Sequence, residues 1–214
     1  MHEKRYTQEA IDSQVSPSSE VLNLVADAVP VKIINSPEIQ DIIDRMLRVG
    51  RGRQGDAKYP TLVGLAAPQI GISKRIVIIG VDADGSGKAP ILKEFINPEI
   101  IEQSGEKEDG REGCFSTDRV CGIVERASRV TVKAFDRNGQ EIIESLDGFP
   151  ARVAQHEIDH LDGVRFPDRI TDDSKLHWVK EEEFGDYRKH WRTWPIECPR
   201  SKWEAIKLGK TIGA

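Results

Sequence analysis

The chain has 214 residues, 38% of them hydrophobic and 31% charged, which is enough for one domain with an extension and a sizeable buried core. Its formal net charge of −5 and lack of a long basic run argue against a nucleic-acid binder. No stretch of about 18 apolar residues occurs, the N-terminus has no apolar signal segment, and Cys114, Cys121 and Cys198 do not make a disulfide framework. The expectation is a cytoplasmic protein with no membrane contact.

Residues 1–20 are polar and without period, so a flexible N-terminal arm is expected. Val21 to Val29 carries apolar positions that suit a short helix before Pro30. Ser36-Pro37-Glu38 is a helix start: a serine cap, proline in the first turn and an acid beside it. Ile39, Ile42, Ile43, Met46 and Leu47 follow at core-facing helical spacing. Arg51-Gly52-Arg53-Gln54-Gly55 interrupts that pattern and reads as an exposed loop. The segment Leu62 to Gly71 is built of small residues around one uncharged polar side chain, Gln69. It is either a tight loop or a backbone lining for a ligand cleft.

Lys74 to Val81 is β-branched and reads as a buried strand. Asp82 to Gly87 is a turn. Ile91 to Ile96 is a second strand closed by Asn97-Pro98, with Glu99 to Glu102 as a third, and Gln103 to Arg111 is loop-like. Arg129 to Asp136 alternates as a strand, Asn138-Gly139 signals a hairpin, and Glu141 to Leu146 returns beside it. Pro150 opens a helix that Gly163 can close, with Ala154, Ile158 and Leu161 as its apolar stripe, and Val164-Arg165-Phe166 suits a short strand. The class is α+β, with antiparallel strands around one central helix. From Thr171 onward charge is dense, and Trp178, Trp191, Trp194 and Trp203 all fall there. We read residues 21–170 as a catalytic domain and 171–214 as an extension whose aromatic side chains dock on it, with a partner surface or a lid over a cleft as the other reading.

On the central helix stands Gln155-His156-Glu157-Ile158-Asp159-His160-Leu161. Residues four apart share a helix face, so His156 and His160 can bind one metal ion while Glu157 reaches a water on it. A catalytic metal usually takes three protein ligands. His2, His177 and His190 lie in the tail or the extension. Cys114, in Glu112-Gly113-Cys114-Phe115-Ser116, is the better-placed candidate, with a buried structural cysteine as the other reading. Glu112 could orient a ligand.

Three stretches, in order, resemble the signature of the peptide deformylase family. They are Gly64-Leu65-Ala66-Ala67-Pro68-Gln69, Glu112 to Ser116 and Gln155 to Leu161, within a similarity running from about Pro30 to Ile170. The resemblance implies that Cys114, His156 and His160 hold the metal, most often Fe(II), with Ni(II), Co(II) or Zn(II) as replacements. It implies Glu157 as acid/base, Gln69 and the Phe115 backbone N–H as oxyanion donors, and Gly64 beside the substrate. The implied reaction removes the formyl group from N-formylmethionyl peptides at the ribosome, by attack of metal-bound water, and releases formate. The chain departs from the family pattern at Leu62, Phe115, Thr117, Asp118 and Cys121, which bears on substrate preference; Arg119 could stand in for an arginine missing at position 121.

Overall fold

The computed structural model describes residues 13–51, 62–86 and 91–210. The loop expected after Arg51 and residues 1–12 of the expected arm therefore lie outside the described residues. Helix α1 (Pro37–Arg51) begins where the sequence marks it, with the Ile39 N–H 3.5 Å from Ser36 Oγ. Ile39, Ile43, Met46 and Leu47 face inward, and Ile42 is half-buried at the edge of that face.

Strands β1 (Gly64–Ala66), β2 (Ile76–Gly80), β3 (Leu92–Gln103), β6 (Arg129–Phe135) and β7 (Glu141–Asp147) form one antiparallel sheet in the order β1-β2-β3-β6-β7. Helix α2 (Gly148–Leu161) covers one face and α1 the other. This explains why β2 is apolar throughout. Val77 and Ile79 pack with Ala154, Ile158 and Leu161 of α2, while Ile76 and Ile78 pack with Ile39 and Ile43 of α1. Gly139 takes a φ of 76° in the β6–β7 hairpin, and Gly163, at 71°, follows the end of α2.

Three expectations need correction. The two strands expected on either side of Asn97-Pro98 are one strand, β3, whose pairing with β6 shifts register between Ile96 and Glu99. Asn97 adopts a left-handed φ of 51°, and its amide exchanges two hydrogen bonds with the Val29 backbone, so the bulge is anchored instead of ending the strand. The polar run expected as a loop is largely a strand, β4 (Lys107–Gly113), paired over seven residues with β5 (Val120–Ala127). Its side chains are mostly exposed, so hydrophobic patterning does not mark it. The short strand expected at Val164 to Phe166 is absent; a helical turn, α3 (Phe166–Arg169), begins there with Pro167 near its start.

Strand β8 (Leu176–Trp178) completes a second sheet in the order β4-β5-β8. Beyond it, α4 (Phe184–His190) and α5 (Arg200–Lys207) lie against the body. Trp203 is fully buried among Val120, Phe166 and Leu176, and the Trp194 indole N–H donates to the Trp178 carbonyl at 3.1 Å. At the other end, the Val15 N–H donates to the Gln69 carbonyl at 2.9 Å. No described helix is long and apolar enough to cross a membrane.

Candidate metal centre

Cys114 stands where β4 ends and a 3-10 turn, Phe115–Thr117, begins. The Thr117 hydroxyl reaches the carbonyls of Cys114 at 2.9 Å and Val120 at 3.0 Å, which closes the turn that follows the cysteine. His156 and His160 present their rings from one face of α2, 5.0 Å between centroids. The donor atoms of Cys114, His156 and His160 all lie within 4.8 Å of one another, with Cys114 Sγ 3.4 Å from His160 Nε2. A tetrahedral ion bound at about 2.3 Å to sulfur and about 2.0–2.1 Å to nitrogen requires a sulfur–nitrogen spacing of about 3.5 Å, which the Cys114–His160 pair matches.

A buried carboxylate stands behind the first histidine. Glu112 Oε2 lies 2.8 Å from His156 Nδ1, which leaves Nε2 for the cluster. Burial alone would raise the Glu112 pKa. The His156 hydrogen bond and the Arg126 guanidinium outweigh it and hold the carboxylate far below its usual range. Burial would likewise lower the His156 pKa, but hydrogen bonds to Cys114 and Glu112 outweigh it and raise it well above the ordinary value. His160 goes the other way: burial and then the His156 charge keep it neutral, the form that ligates. Arg126 grips Glu112 through Nε at 2.9 Å and Nη2 at 3.0 Å, and reaches Asp159 at 2.6 Å through Nη1. Arg152 adds a bond to Glu112 at 2.9 Å.

Glu157 follows His156 on the helix and is 4% exposed, yet its Oε2 has no hydrogen-bond partner among the described residues. Burial pushes its pKa up to about 7, against the opposing pull of His156. Gln69 lies in the 3-10 turn Ala67–Ile70. Its Oε1 accepts from the Ala66 N–H at 2.7 Å, and that bond turns Nε2 toward Cys114 Sγ at 3.2 Å and Ser116 Oγ at 3.4 Å. Gly64 passes so close to the helix that a Cβ there would stand 2.4 Å from Glu157 Oε1. Phe115 is half-buried at the first position of the turn that follows Cys114.

The fold thus gathers Gly64, Gln69, Cys114, His156, Glu157 and His160, drawn from three separated stretches, with Phe115 adjoining. Arg119 is exposed, and Cys121 is buried against Val179 and Tyr187. Sequence reasoning passed over Arg126 and its pairing with Asp159. The one available signal was a charged pair, Glu125 and Arg126, closing the apolar run from Val120 in a stretch that forms a strand.

The family model described as polypeptide deformylase matches residues 15–176. A peptide deformylase of Thermomicrobium roseum is 46% identical over 123 residues, covering 56% of this chain and 69% of the relative. Peptide deformylase 1 of Bacillus subtilis is 40% identical over 163 residues, covering 73% and 92%. Among solved structures, a class I type b peptide deformylase from Acinetobacter baumannii with Met-Ala-Ser bound matches at a TM-score of 0.65 and 36% identity, over 73% of this chain and 96% of that one. The family match takes in the first sheet, strands β4 and β5 and the histidine helix, and the chain belongs to the peptide deformylase family, the metal-dependent hydrolases of protein biosynthesis.

Proposed function

We propose that this enzyme removes the formyl group from the N-terminal formyl-methionine of newly made polypeptides, at or near the ribosome in the cytoplasm. The observation that carries the reading is the cluster of Cys114, His156 and His160, with the Gln69 amide turned onto it and the buried, unpartnered Glu157 carboxyl one residue along the helix from His156. The peptide held by the Acinetobacter protein supports a peptide substrate. One thiolate and two imidazoles suit iron or zinc, and we assign Fe(II), with Ni(II), Co(II) or Zn(II) as replacements. Held there, such an ion supplies a Lewis acid that makes a water nucleophilic at neutral pH.

The chain's own residues do the rest. The Glu157 carboxylate takes a proton from the attacking water as the new bond forms to the formyl carbon. Gln69 Nε2 and the Phe115 N–H hold the formyl oxygen as it gains negative charge. One such donor is typically worth about 2.7–4 kcal/mol of barrier. Glu157 then delivers the proton to the amine nitrogen as the carbon–nitrogen bond breaks. Water has been added across the amide, leaving formate and a free amino group. A carboxyl buried enough to titrate near neutrality suits both halves of that transfer. Glu112 and Arg126 keep the His156 ring from turning.

The test is formate release from a short formyl-Met peptide by protein purified without oxygen and loaded with Fe(II) or Ni(II). Rapid release is the expected result. A folded, metal-replete sample that releases none would refute the assignment.

A further inference from the structure

Arg165 is fully buried, and its guanidinium has no carboxylate partner within 4 Å among the described residues. Its hydrogen bonds go to neutral oxygens from distant parts of the chain. Nη1 donates to the Pro17 carbonyl at 2.5 Å and to the Ser116 carbonyl at 3.0 Å, and Nη2 donates to Asn23 Oδ1 at 2.8 Å. The cation lies 4.7 Å from the centre of the Trp203 ring, and Trp203 is itself fixed by its indole N–H on Asp168 at 2.9 Å. Three segments therefore meet on one side chain: the N-terminal segment of residues 16–23, the turn carrying Phe115 and Ser116, and α5.

A buried cation with no direct ion pair among the described residues, only the longer-range pull of Asp168, Cys114 and Glu204, is a poor way to stabilise a fold. An apolar side chain of similar volume usually packs as well or better, because no charge is taken out of water. What an arginine adds here is direction: a planar fork that grips several carbonyls at once. The carbonyl it grips on the site side belongs to Ser116, two residues after Cys114 and one after Phe115. The Ser116 hydroxyl is also 3.4 Å from Gln69 Nε2. Thr117 closes this turn from inside, and Arg165 clamps it from outside.

We propose that Arg165 is a positioning residue for deformylation. Braced by Trp203 of the C-terminal extension and by Pro17 and Asn23, it sets the turn that aims the Cys114 sulfur and the Phe115 N–H. The inference rests on the function proposed above and deepens it, by giving the extension a part in the same site.

The experiment uses the full chain with three substitutions, Arg165→Met, Arg165→Lys and Trp203→Phe, each loaded with Co(II) and with Ni(II). Arg165→Met keeps bulk and removes every donor, and is expected to lower kcat on formyl-Met-Ala-Ser by about ten- to a hundredfold with KM nearly unchanged. The sulfur-to-cobalt charge-transfer absorption should shift in the same variant. Arg165→Lys, which can still reach a carbonyl, should recover part of both. Trp203→Phe keeps the clamp but weakens its brace, and should give a smaller effect in the same direction; it serves as the readout should Arg165→Met not fold. Parental absorption and parental kcat in the folded Arg165→Met protein, or in Arg165→Lys and Trp203→Phe together, would overturn the proposal and leave Arg165 as packing. Should the parent protein itself release no formate, the deformylase reading fails alone, and the cobalt absorption still decides whether Arg165 governs the sulfur.

Discussion

Gly64→Ala is the sharpest test of the site geometry. A methyl group at this position would stand 2.4 Å from Glu157 Oε1, 2.7 Å from Val153 Cγ1 and 2.8 Å from Glu157 Cγ, whereas ordinary contact begins at 3.4 Å. Both obstacles are side chains, and Val153 is packed in the core, so the carboxylate yields most, by roughly 1 Å. A displacement of that size at a reacting group costs about a hundredfold in rate, close to 2.7 kcal/mol of barrier. Overpacking adds about 1–3 kcal/mol of lost stability. Formate release under saturating formyl-Met peptide should show the fall in kcat, with metal content per chain unchanged because no ligand is touched. Should Gly64→Ala turn over within threefold of the parent, Glu157 does not need the position it occupies here, and its role as proton carrier fails with it.

Glu157→Ala should keep fold and metal while activity falls by about 100- to 10,000-fold; near-normal turnover would remove it from the mechanism. Cys114→Ala should lose tight metal binding, measured as metal per chain after dialysis, and stoichiometric metal would mean that the third ligand is misassigned. Asp168 provides a pH test away from the metal. Burial would raise its pKa, but the Trp203 indole N–H and Lys207 outweigh that and lower it. Its folded pKa is therefore below its unfolded one, so its stabilising contribution is full above about pH 4 and is lost as the pH falls through the folded value. The stability gap between the parent and Asp168→Asn, followed by unfolding with Trp fluorescence, should narrow on acidification. A gap that stays constant down to pH 2 would contradict this assignment.

What could be read in the sequence divides along a physical line. His156 and His160 fall together because residues four apart on a helix are neighbours whatever surrounds them. The start of α1 at Ser36-Pro37 and the hairpin at Asn138-Gly139 are likewise local matters of capping and turn chemistry. Strand β4 was illegible because its exposed Lys107, Glu108 and Asp109 give no apolar alternation, and its existence depends on β5 pairing with it. Strand β3 was broken in two because Asn97-Pro98 is locally a stop signal, and only the distant Val29 backbone makes it a bulge. Arg126 and Arg165 escaped for a related reason. A charged side chain reads as surface until its partners are known, and those partners lie 14 to 148 residues away.

The meeting of Pro17, Ser116, Arg165 and Trp203 also sets an order of assembly. The bond from Arg165 to Pro17 spans 148 residues, and the ring that braces Arg165 lies 38 positions further on in the sequence. Contacts across such separations form late, after local helices and hairpins are in place. A chain leaving the ribosome N-terminus first will have its histidine helix and the β4–β5 and β6–β7 pairs in hand before α5 emerges. The turn that carries Cys114 then receives this support only after α5 has emerged, from a helix made long after the cysteine itself.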